Sequence, residues 1–389
     1  MNILFVYERI IIPSFGGVER VTFLLAEEFR KRGHEVKFLS VGPAKWNPEL
    51  VDYGFEQLYL PSYKEEFPKE FSKFLKNWTP NAIIFQGHHP AVLDVIKYVP
   101  AGIKKLAVFH NKPFGSYPYE RFVKRITPSG SLPLKGKIYR TLALVAPPLF
   151  RIINNKKNSL VFKRMAREAD KMVLLSDRFI PRTVKLAPGI EEDKLCAVNN
   201  PNTFEIKGGE PEAKGKTILF VGRLSNPQKN VTGFIDVWKK FHDLHPDWQG
   251  IILGDGEDRE YLERYARKRK VSNLHFLGNR KDVAEFYKKS PILCMTSSYE
   301  GWGMVLTEAM AYGCVPVVYD SFEAVHDIIT NLKDGILVEP FSVAKMVAAL
   351  DTIASDSSMR EKMAEAGREA IKRFNVGAVA DIWEKLIEV

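Results

Sequence analysis

Two carboxylates, Glu300 and Glu308, bracket Gly301-Trp302-Gly303-Met304-Val305-Leu306-Thr307, and this segment has the clearest capacity for chemistry in the chain. Two glycines just before a helical stretch let the backbone approach a ligand closely. The first N–H groups of such a helix lack intrahelical acceptors and face an anion such as a diphosphate. Gly301, Trp302, Gly303, Met304 and Val305 are therefore candidate anion-contacting positions. Glu308 falls about one turn inside the helix, where a carboxylate suits bidentate acceptance from a vicinal diol such as that of a ribose. Glu300 precedes the helix, on the other side of the anion, where it could accept hydroxyls of a second sugar. A plainer reading is also open: a solvated loop acid and a carboxylate favoured by the helix dipole.

Arg223 and Lys229 form a second constellation. Arg223 directly follows the apolar run Ile218–Val221 and Gly222, and Lys229 precedes a helical stretch starting near Asn230. Arginine forks onto two phosphate oxygens and lysine supplies a compact charge, so together they suit a diphosphate leaving group without a metal. The bland alternative is two surface cations. Gly16-Gly17, in Ser14-Phe15-Gly16-Gly17-Val18-Glu19-Arg20, again stands before a helix and suits either close approach to a ligand or a structural turn. Gly254-Asp255-Gly256-Glu257 reads mainly as turn chemistry, and neither segment carries the G-x-G-x-x-G dinucleotide pattern. His110, after the strand Leu106–Phe109, suits a sugar hydroxyl, a proton transfer or a structural hydrogen bond. His88-His89 are adjacent on an extended segment and point to opposite sides, with no third ligand evident, so no metal is expected.

The elements that must position these residues are legible as alternating strands and helices. The buried run Ile3–Tyr7, an amphipathic helix over Val18–Lys31 closed by Gly33, and a strand Val36–Leu39 make a β-α-β unit. Further strands are expected at Ala82–Phe85, Leu106–Phe109, Met172–Leu175 and Leu195–Val198. The plan then restarts: Ile218-Leu219-Phe220-Val221 repeats Ile3-Leu4-Phe5-Val6, and in each copy a second strand begins 33 residues later, at Val36 and Ile251. A helix over Val231–Leu244 lies between, and strands follow at Leu274–Phe276, Ile292–Met295, Val315–Val318 and Ile336–Val338. The fold class is thus α/β, with two doubly wound parallel sheets. Expected domains are 1–206 and 207–373, with a last helix within 374–389, Val376–Ile387, either capping the second domain or crossing back to the first. The segment Asn199–Lys216 is the expected linker. Open parallel sheets bind ligands beyond the carboxyl ends of their strands, which puts the expected site in a cleft lined by the loops after those strands.

The chain has 389 residues, 45% hydrophobic and 27% charged, enough for two or three domains with sizeable cores. Cys196, Cys294 and Cys314 show neither disulfide nor zinc spacing, which fits reduced thiols in a cytoplasmic protein. The start, Met1 to Val6, reads as a strand rather than a signal peptide, and no apolar run reaches a membrane span. The formal net charge is +10, but residues 1–205 carry +12 and residues 206–389 carry −2. Residues 101–167 hold 15 basic groups and one acid, Glu120. Such a concentration calls for nucleic acid, membrane phosphates or an anionic substrate.

Taken together these residues resemble the family 4 retaining glycosyltransferases of the GT-B fold, whose two domains are Rossmann-like. The resemblance rests on Glu300-x7-Glu308 within E-G-W-G-M-V-L-T-E-A-M-A-Y-G, and on V-G-R-L-S at Val221–Ser225 with Lys229-Asn230. F-L-G-N-R at Phe276–Arg280, F-G-G-V-E-R at Phe15–Arg20 and F-H-N at Phe109–Asn111 add to it. Trp302 stands where the family often has phenylalanine, which keeps an aromatic ring between the glycines. The resemblance implies transfer of a sugar from a nucleoside diphosphate sugar, with UDP expected ahead of GDP, with retention and without an essential metal or other cofactor. It implies that Arg223 and Lys229 hold the diphosphate with the Gly303, Met304 and Val305 backbone, that Glu308 binds the ribose and Glu300 the donor sugar. Gly278, Asn279 and Arg280 then meet the base, Gly16 and Gly17 lie against phosphate and sugar, and His110 contacts the sugar.

No pair of carboxylates straddles the reacting carbon as in a retaining hydrolase, so a front-face displacement, with the departing phosphate taking the acceptor's proton, is the economical expectation. The expected acceptor is a saccharide or lipid-linked saccharide of a cell-surface polymer such as lipopolysaccharide or capsule. Basic and apolar residues interleave between Lys135 and Arg167, as on a surface that presses into lipid. Residues 101–167 are thus expected to meet an anionic membrane, the protein sitting peripherally on the inner face of the cytoplasmic membrane. Alternatives are a basic nucleic-acid-binding protein, or a nucleotide-sugar epimerase or hydrolase on the same fold. Nucleic acid is not the expected partner.

Overall fold

The structure, a computed structural model, describes residues 1–44, 53–115, 145–204 and 214–388. It divides into two compact units. The first comprises Met1–Phe114, Asn155–Thr203 and Arg373–Val389; the second comprises Phe204–Lys372 with the described part of Gly115–Asn154. The chain passes between units at Thr203–Phe204, and the described residues Gly115 and 145–154 group with the second unit. Linker residues 205–213 and the basic stretch 116–144 lie outside the described residues.

The first unit holds seven parallel strands: β1 (Asn2–Tyr7), β2 (Glu35–Ser40), β3 (Glu56–Tyr59), β4 (Ala82–Gln86), β5 (Lys104–Val108), β6 (Lys171–Leu174) and β7 (Leu195–Ala197). Their order is β3-β2-β1-β4-β5-β6-β7. Ile3, Leu4, Phe5 and Val6 are wholly buried because helices cover both faces of a parallel sheet. The helix Gly17–Lys31 turns Val21, Leu25, Ala26 and Phe29 toward that sheet, and Gly33 ends the segment at φ +86°. β3 has no counterpart among the expected strands. It is an edge strand of sequence Glu-Gln-Leu-Tyr whose residues are exposed or half-buried, so no apolar run announces it. The last helix, Val376–Glu388, belongs to this unit and buries Val379, Ala380, Trp383 and Ile387. Arg32 pairs with its Asp381 and Glu384 at 2.6 and 2.7 Å, and His34 meets Glu384 at 2.7 Å.

The second unit holds six parallel strands: β8 (Thr217–Val221), β9 (Gln249–Leu253), β10 (Leu274–Gly278), β11 (Ile292–Met295), β12 (Val315–Tyr319) and β13 (Ile336–Val338). Their order is β10-β9-β8-β11-β12-β13. Numbered within the unit this is 3-2-1-4-5-6, the doubly wound order with one reversal point, here between β8 and β11. The helix Val231–Leu244 lies where the sequence puts it, with Phe234, Ile235, Val237, Trp238 and Phe241 in the core. β9 begins at Gln249, two residues before Ile251, because the strand first runs under Trp238. A Cβ on Gly250 would sit 2.8 Å from Trp238 and from Leu274.

Candidate functional site

The loops leaving β8 and β11 flank the reversal point of the second sheet, and they carry most of the candidate residues. After β8 the backbone enters a floor built by the following β-loop. A Cβ on Gly254 would lie 1.9 Å from the Gly222 carbonyl, and one on Gly256 would lie 2.7 Å from that of Leu224. Leu224 N–H donates to Asp255 O, and Asp258 N–H donates to Leu224 O. Gly254-Asp255-Gly256-Glu257 is therefore more than a turn: its two glycines let it pass directly beneath Val221–Ser225. The buried Asp258 carboxylate accepts the Asn226 N–H at 2.7 Å, and Asn226 Oδ1 accepts from Thr232 N–H and Oγ1 at 2.9 and 3.1 Å. Burial holds the Asp258 carboxyl above its ordinary pKa. Asn230 takes the left-handed conformation, φ +49°, between the short helix Asn226–Lys229 and Val231–Leu244. These bonds fix the backbone that presents Arg223 and Lys229.

Lys229 and Glu300, 71 residues apart in sequence, form an ion pair at 2.7 Å with side chains only 15% and 8% exposed. Gln228 Nε2 reaches the other Glu300 oxygen at 3.4 Å, and Arg223 Nη2 reaches Gln228 Oε1 at 3.5 Å, both at the outer limit of a hydrogen bond. Ser298 N–H donates to Gln228 O at 2.7 Å and Thr296 Oγ1 to Asn230 O at 3.1 Å, so the two loops are tied by backbone as well. An ammonium has three N–H donors. Lys229 can thus keep Glu300 and still offer protons to an anion, and Arg223, exposed at the loop's outer side, adds a second fixed charge.

Beyond Glu300 the chain turns through buried Gly301, Trp302 and Gly303 into the helix Met304–Ala311. Gly303 stands at φ +90°, which favours glycine, and a Cβ there would press within 3.3 Å of Leu306 and Phe322. Helix geometry leaves the Met304 and Val305 N–H groups without intrahelical acceptors, at the positive end of the helix dipole. Glu308 is 4% exposed, and its Oε2 accepts the Tyr287 hydroxyl at 3.0 Å. A solvated loop acid and a dipole partner therefore describe neither glutamate.

Gly278, Asn279 and Arg280 sit at the carboxyl end of β10, an edge strand separated from β8 by β9. Gly278 O accepts the Gly254 N–H at 2.8 Å, tying this corner to the loop floor, while Arg280 forks onto Asp282 at 2.8 and 2.9 Å. These three residues share the carboxyl end of the sheet with the Lys229–Glu300 pair, whose hydrogen bonds run through Gln228 to Arg223.

In the first unit, Gly16 is extended and needs no special dihedral. It is restricted instead by the buried Glu19 carboxylate, whose Oε2 would lie 2.7 Å from a Cβ at Gly16. Gly17 opens the helix. Burial raises the Glu19 carboxyl, and it raises that of Glu8, at the end of β1, to about 6. The His110 Nε2 and Gln86 Oε1 atoms are hydrogen-bonded. Burial, reinforced by His88, lowers the His110 imidazole to about 4, so the ring is neutral near pH 7. His110 Nδ1 is buried without a hydrogen-bond partner among the described residues. His88 lies against Phe109 at 4.9 Å, and His89 Nδ1 accepts the Ala91 N–H at the head of the helix Pro90–Ile96. Among the described residues no three His, Cys, Asp or Glu side chains gather as metal ligands.

Gln228, Asp258 and Tyr287 are absent from the sequence-based candidates. Asp258 is foreshadowed by its place after a Gly-rich turn, but Tyr287 meets Glu308 across 21 residues, and nothing in local spacing signals that.

Residues 202–370 match the family model for glycosyl transferases group 1, and residues 15–147 match that for glycosyltransferase family 4. The chain is 30% identical over 369 residues to a phosphatidyl-myo-inositol mannosyltransferase of Mycobacterium leprae, covering 94% of this chain and 91% of the relative. It is 29% identical over 295 residues to the amylovoran biosynthesis glycosyltransferase AmsD of Erwinia amylovora, covering 70% and 82% respectively. Among solved structures, Anabaena Alr3699/HepE in complex with UDP matches with a TM-score of 0.74 at 17% identity, covering 100% of both chains.

Proposed function

The chain belongs to the glycosyltransferase family of the GT-B fold, and from that premise we propose that it transfers a sugar from a nucleoside diphosphate sugar, UDP in first place, with retention of anomeric configuration and without a catalytic metal. The single observation carrying this reading is the enclosed Lys229–Glu300 pair at the reversal point of the second sheet, beside the Gly303-capped helix. Lys229, Arg223 and the Met304 and Val305 N–H groups provide fixed positive charge for a departing diphosphate, the role that a metal fills elsewhere. Because these groups are already oriented, little reorganisation is needed as charge builds on the leaving oxygen. Glu300, held by Lys229, accepts hydroxyls of the donor sugar, and Glu308 accepts the ribose diol. Gly278, Asn279 and Arg280 line the base. The displaced phosphate oxygen takes the acceptor's proton, so no separate general base is required. UDP bound in HepE supports UDP as the leaving group, and the names of the two relatives, one acting on a phosphatidyl-myo-inositol and one in amylovoran biosynthesis, support a saccharide or lipid-linked acceptor of a cell-surface polymer.

Purified protein incubated with UDP-sugars, EDTA and a candidate lipid-linked acceptor tests this reading by NMR of the product anomer. Retention with EDTA present is the expected result. Inversion or a strict divalent-metal requirement contradicts it, and release of free sugar alone points to hydrolysis.

A specific surface favours attachment to an anionic membrane. Ahead of and within the helix Pro147–Glu168, Val145, Leu149, Ile152 and Leu160 are 78, 49, 54 and 70% exposed, interleaved with exposed Arg151, Lys156 and Lys157. Each cation near an anionic bilayer contributes roughly 1 kcal/mol. No helix among the described residues is long and apolar enough to cross a membrane. Sedimentation with phosphatidylglycerol vesicles is expected to fall with salt and with Leu149→Glu/Ile152→Glu. Equal recovery with neutral vesicles contradicts the membrane reading.

A further inference from the structure

Resting on the ribose reading of Glu308, we infer that Tyr287 is a positioning residue that fixes the Glu308 carboxylate for the diol. The two side chains come from different elements, the helix Val283–Lys289 and the helix Met304–Ala311, and meet in the buried core at 3.0 Å. A phenol is a single O–H donor on a stiff ring, so it selects one carboxylate oxygen and one orientation. Bidentate acceptance from a vicinal diol depends on that orientation. A glutamate has a broad terminal torsion, and a fixed donor narrows the orientations open to its carboxylate plane.

The surroundings of Tyr287 hold its ring in place. It is wholly buried, stacked on Tyr312 at 6.1 Å and 13°, with Phe204 edge-on at 6.2 Å. The end of its helix is pinned from outside the helix. Lys214 Nζ donates to the carbonyls of Tyr287, Lys288 and Ser290 at 2.8 to 3.0 Å. Cys314 Sγ lies 3.0 and 2.9 Å from the Tyr287 and Ser290 carbonyl oxygens, which share its one S–H. A tyrosine serving only to fill the core has no need for its hydroxyl to end on the one carboxylate aimed at the ribose.

Tyr287→Phe keeps the ring and removes the donor. Titration calorimetry with UDP, 2′-deoxy-UDP and inorganic pyrophosphate on the whole chain separates the possibilities. The expected result is about a five- to tenfold weaker UDP affinity, a reduced preference for UDP over 2′-deoxy-UDP, and unchanged pyrophosphate binding, the last reporting an intact diphosphate site. If Tyr287→Phe lowers the melting temperature but leaves the ribose preference intact, the positioning role is overturned. Glu308→Gln distinguishes the two levels. Loss of ribose preference in Glu308→Gln but not in Tyr287→Phe overturns the inference alone. Absence of any ribose preference in the unaltered protein overturns the ribose reading and the inference with it.

Discussion

Lys229→Ala is expected to lower kcat/KM for the nucleotide sugar by about 10²- to 10³-fold, the loss typical of removing one preoriented donor from a developing oxyanion. The substitution also leaves Glu300 enclosed without its cation, and breaking such a pair destabilises by about 3 kcal/mol. Activity and stability therefore fall together in the single variant, and the double variant Lys229→Ala/Glu300→Gln separates them. A neutral amide in place of the carboxylate relieves the unpaired charge and restores most of the melting temperature. It does not restore transfer, because the diphosphate still lacks its lysine. Transfer at the unaltered rate by Lys229→Ala, or full recovery of transfer in the double variant, removes Lys229 from the diphosphate site.

Glu308→Ala is expected to raise KM for a UDP-sugar by about 10²-fold, since two hydrogen bonds to a charged acceptor each contribute about 1.5 kcal/mol or more. Its signature is selective. With the carboxylate gone, the UDP-sugar and its 2′-deoxy analogue are used with nearly equal kcat/KM, whereas the unaltered protein prefers the ribose form. Steady-state kinetics with the two donors reads this directly. A variant that keeps the ribose preference assigns Glu308 a purely structural place under Tyr287.

Most of this architecture is legible in the sequence because parallel strands covered on both faces must be continuous apolar runs. Ile3–Val6 and Ile218–Val221 are buried, or nearly so, along their length, and their repetition announces two sheets of the same plan. The edge strand Glu56–Tyr59 escapes for the converse reason: its residues are exposed or half-buried, so it has no such run. The site is legible where chemistry and backbone geometry coincide. Gly303 needs its left-handed conformation, and Glu300 and Lys229 follow neighbouring strands, so strand order alone brings their loops together. The sequence does not reveal contacts made across the sheet. The Gly254 and Gly256 passage under Val221–Ser225, the Asp258 clasp on Asn226 and the Tyr287–Glu308 bond all depend on tertiary packing. Gly16 shows the opposite case. Its close neighbour is the chain's own Glu19, a buried carboxylate that a reading of paired glycines does not foresee.

The charge distribution divides along the same lines. Residues 206–389 carry −2 although they hold Arg223 and Lys229, so the proposed diphosphate site uses two placed cations and a helix terminus rather than a general basic excess. The concentration over 101–167 belongs to the proposed acceptor and membrane side, and its stretch 116–144 lies outside the described residues.

The most direct measurement of the central claim is amide hydrogen exchange of the whole chain with and without UDP in EDTA. Binding by Lys229, Arg223 and the helix Met304–Ala311 predicts added protection in the segments Gly222–Asn230 and Glu300–Glu308. Protection confined to other segments, or none at saturating UDP, contradicts a donor site built on the Lys229–Glu300 pair.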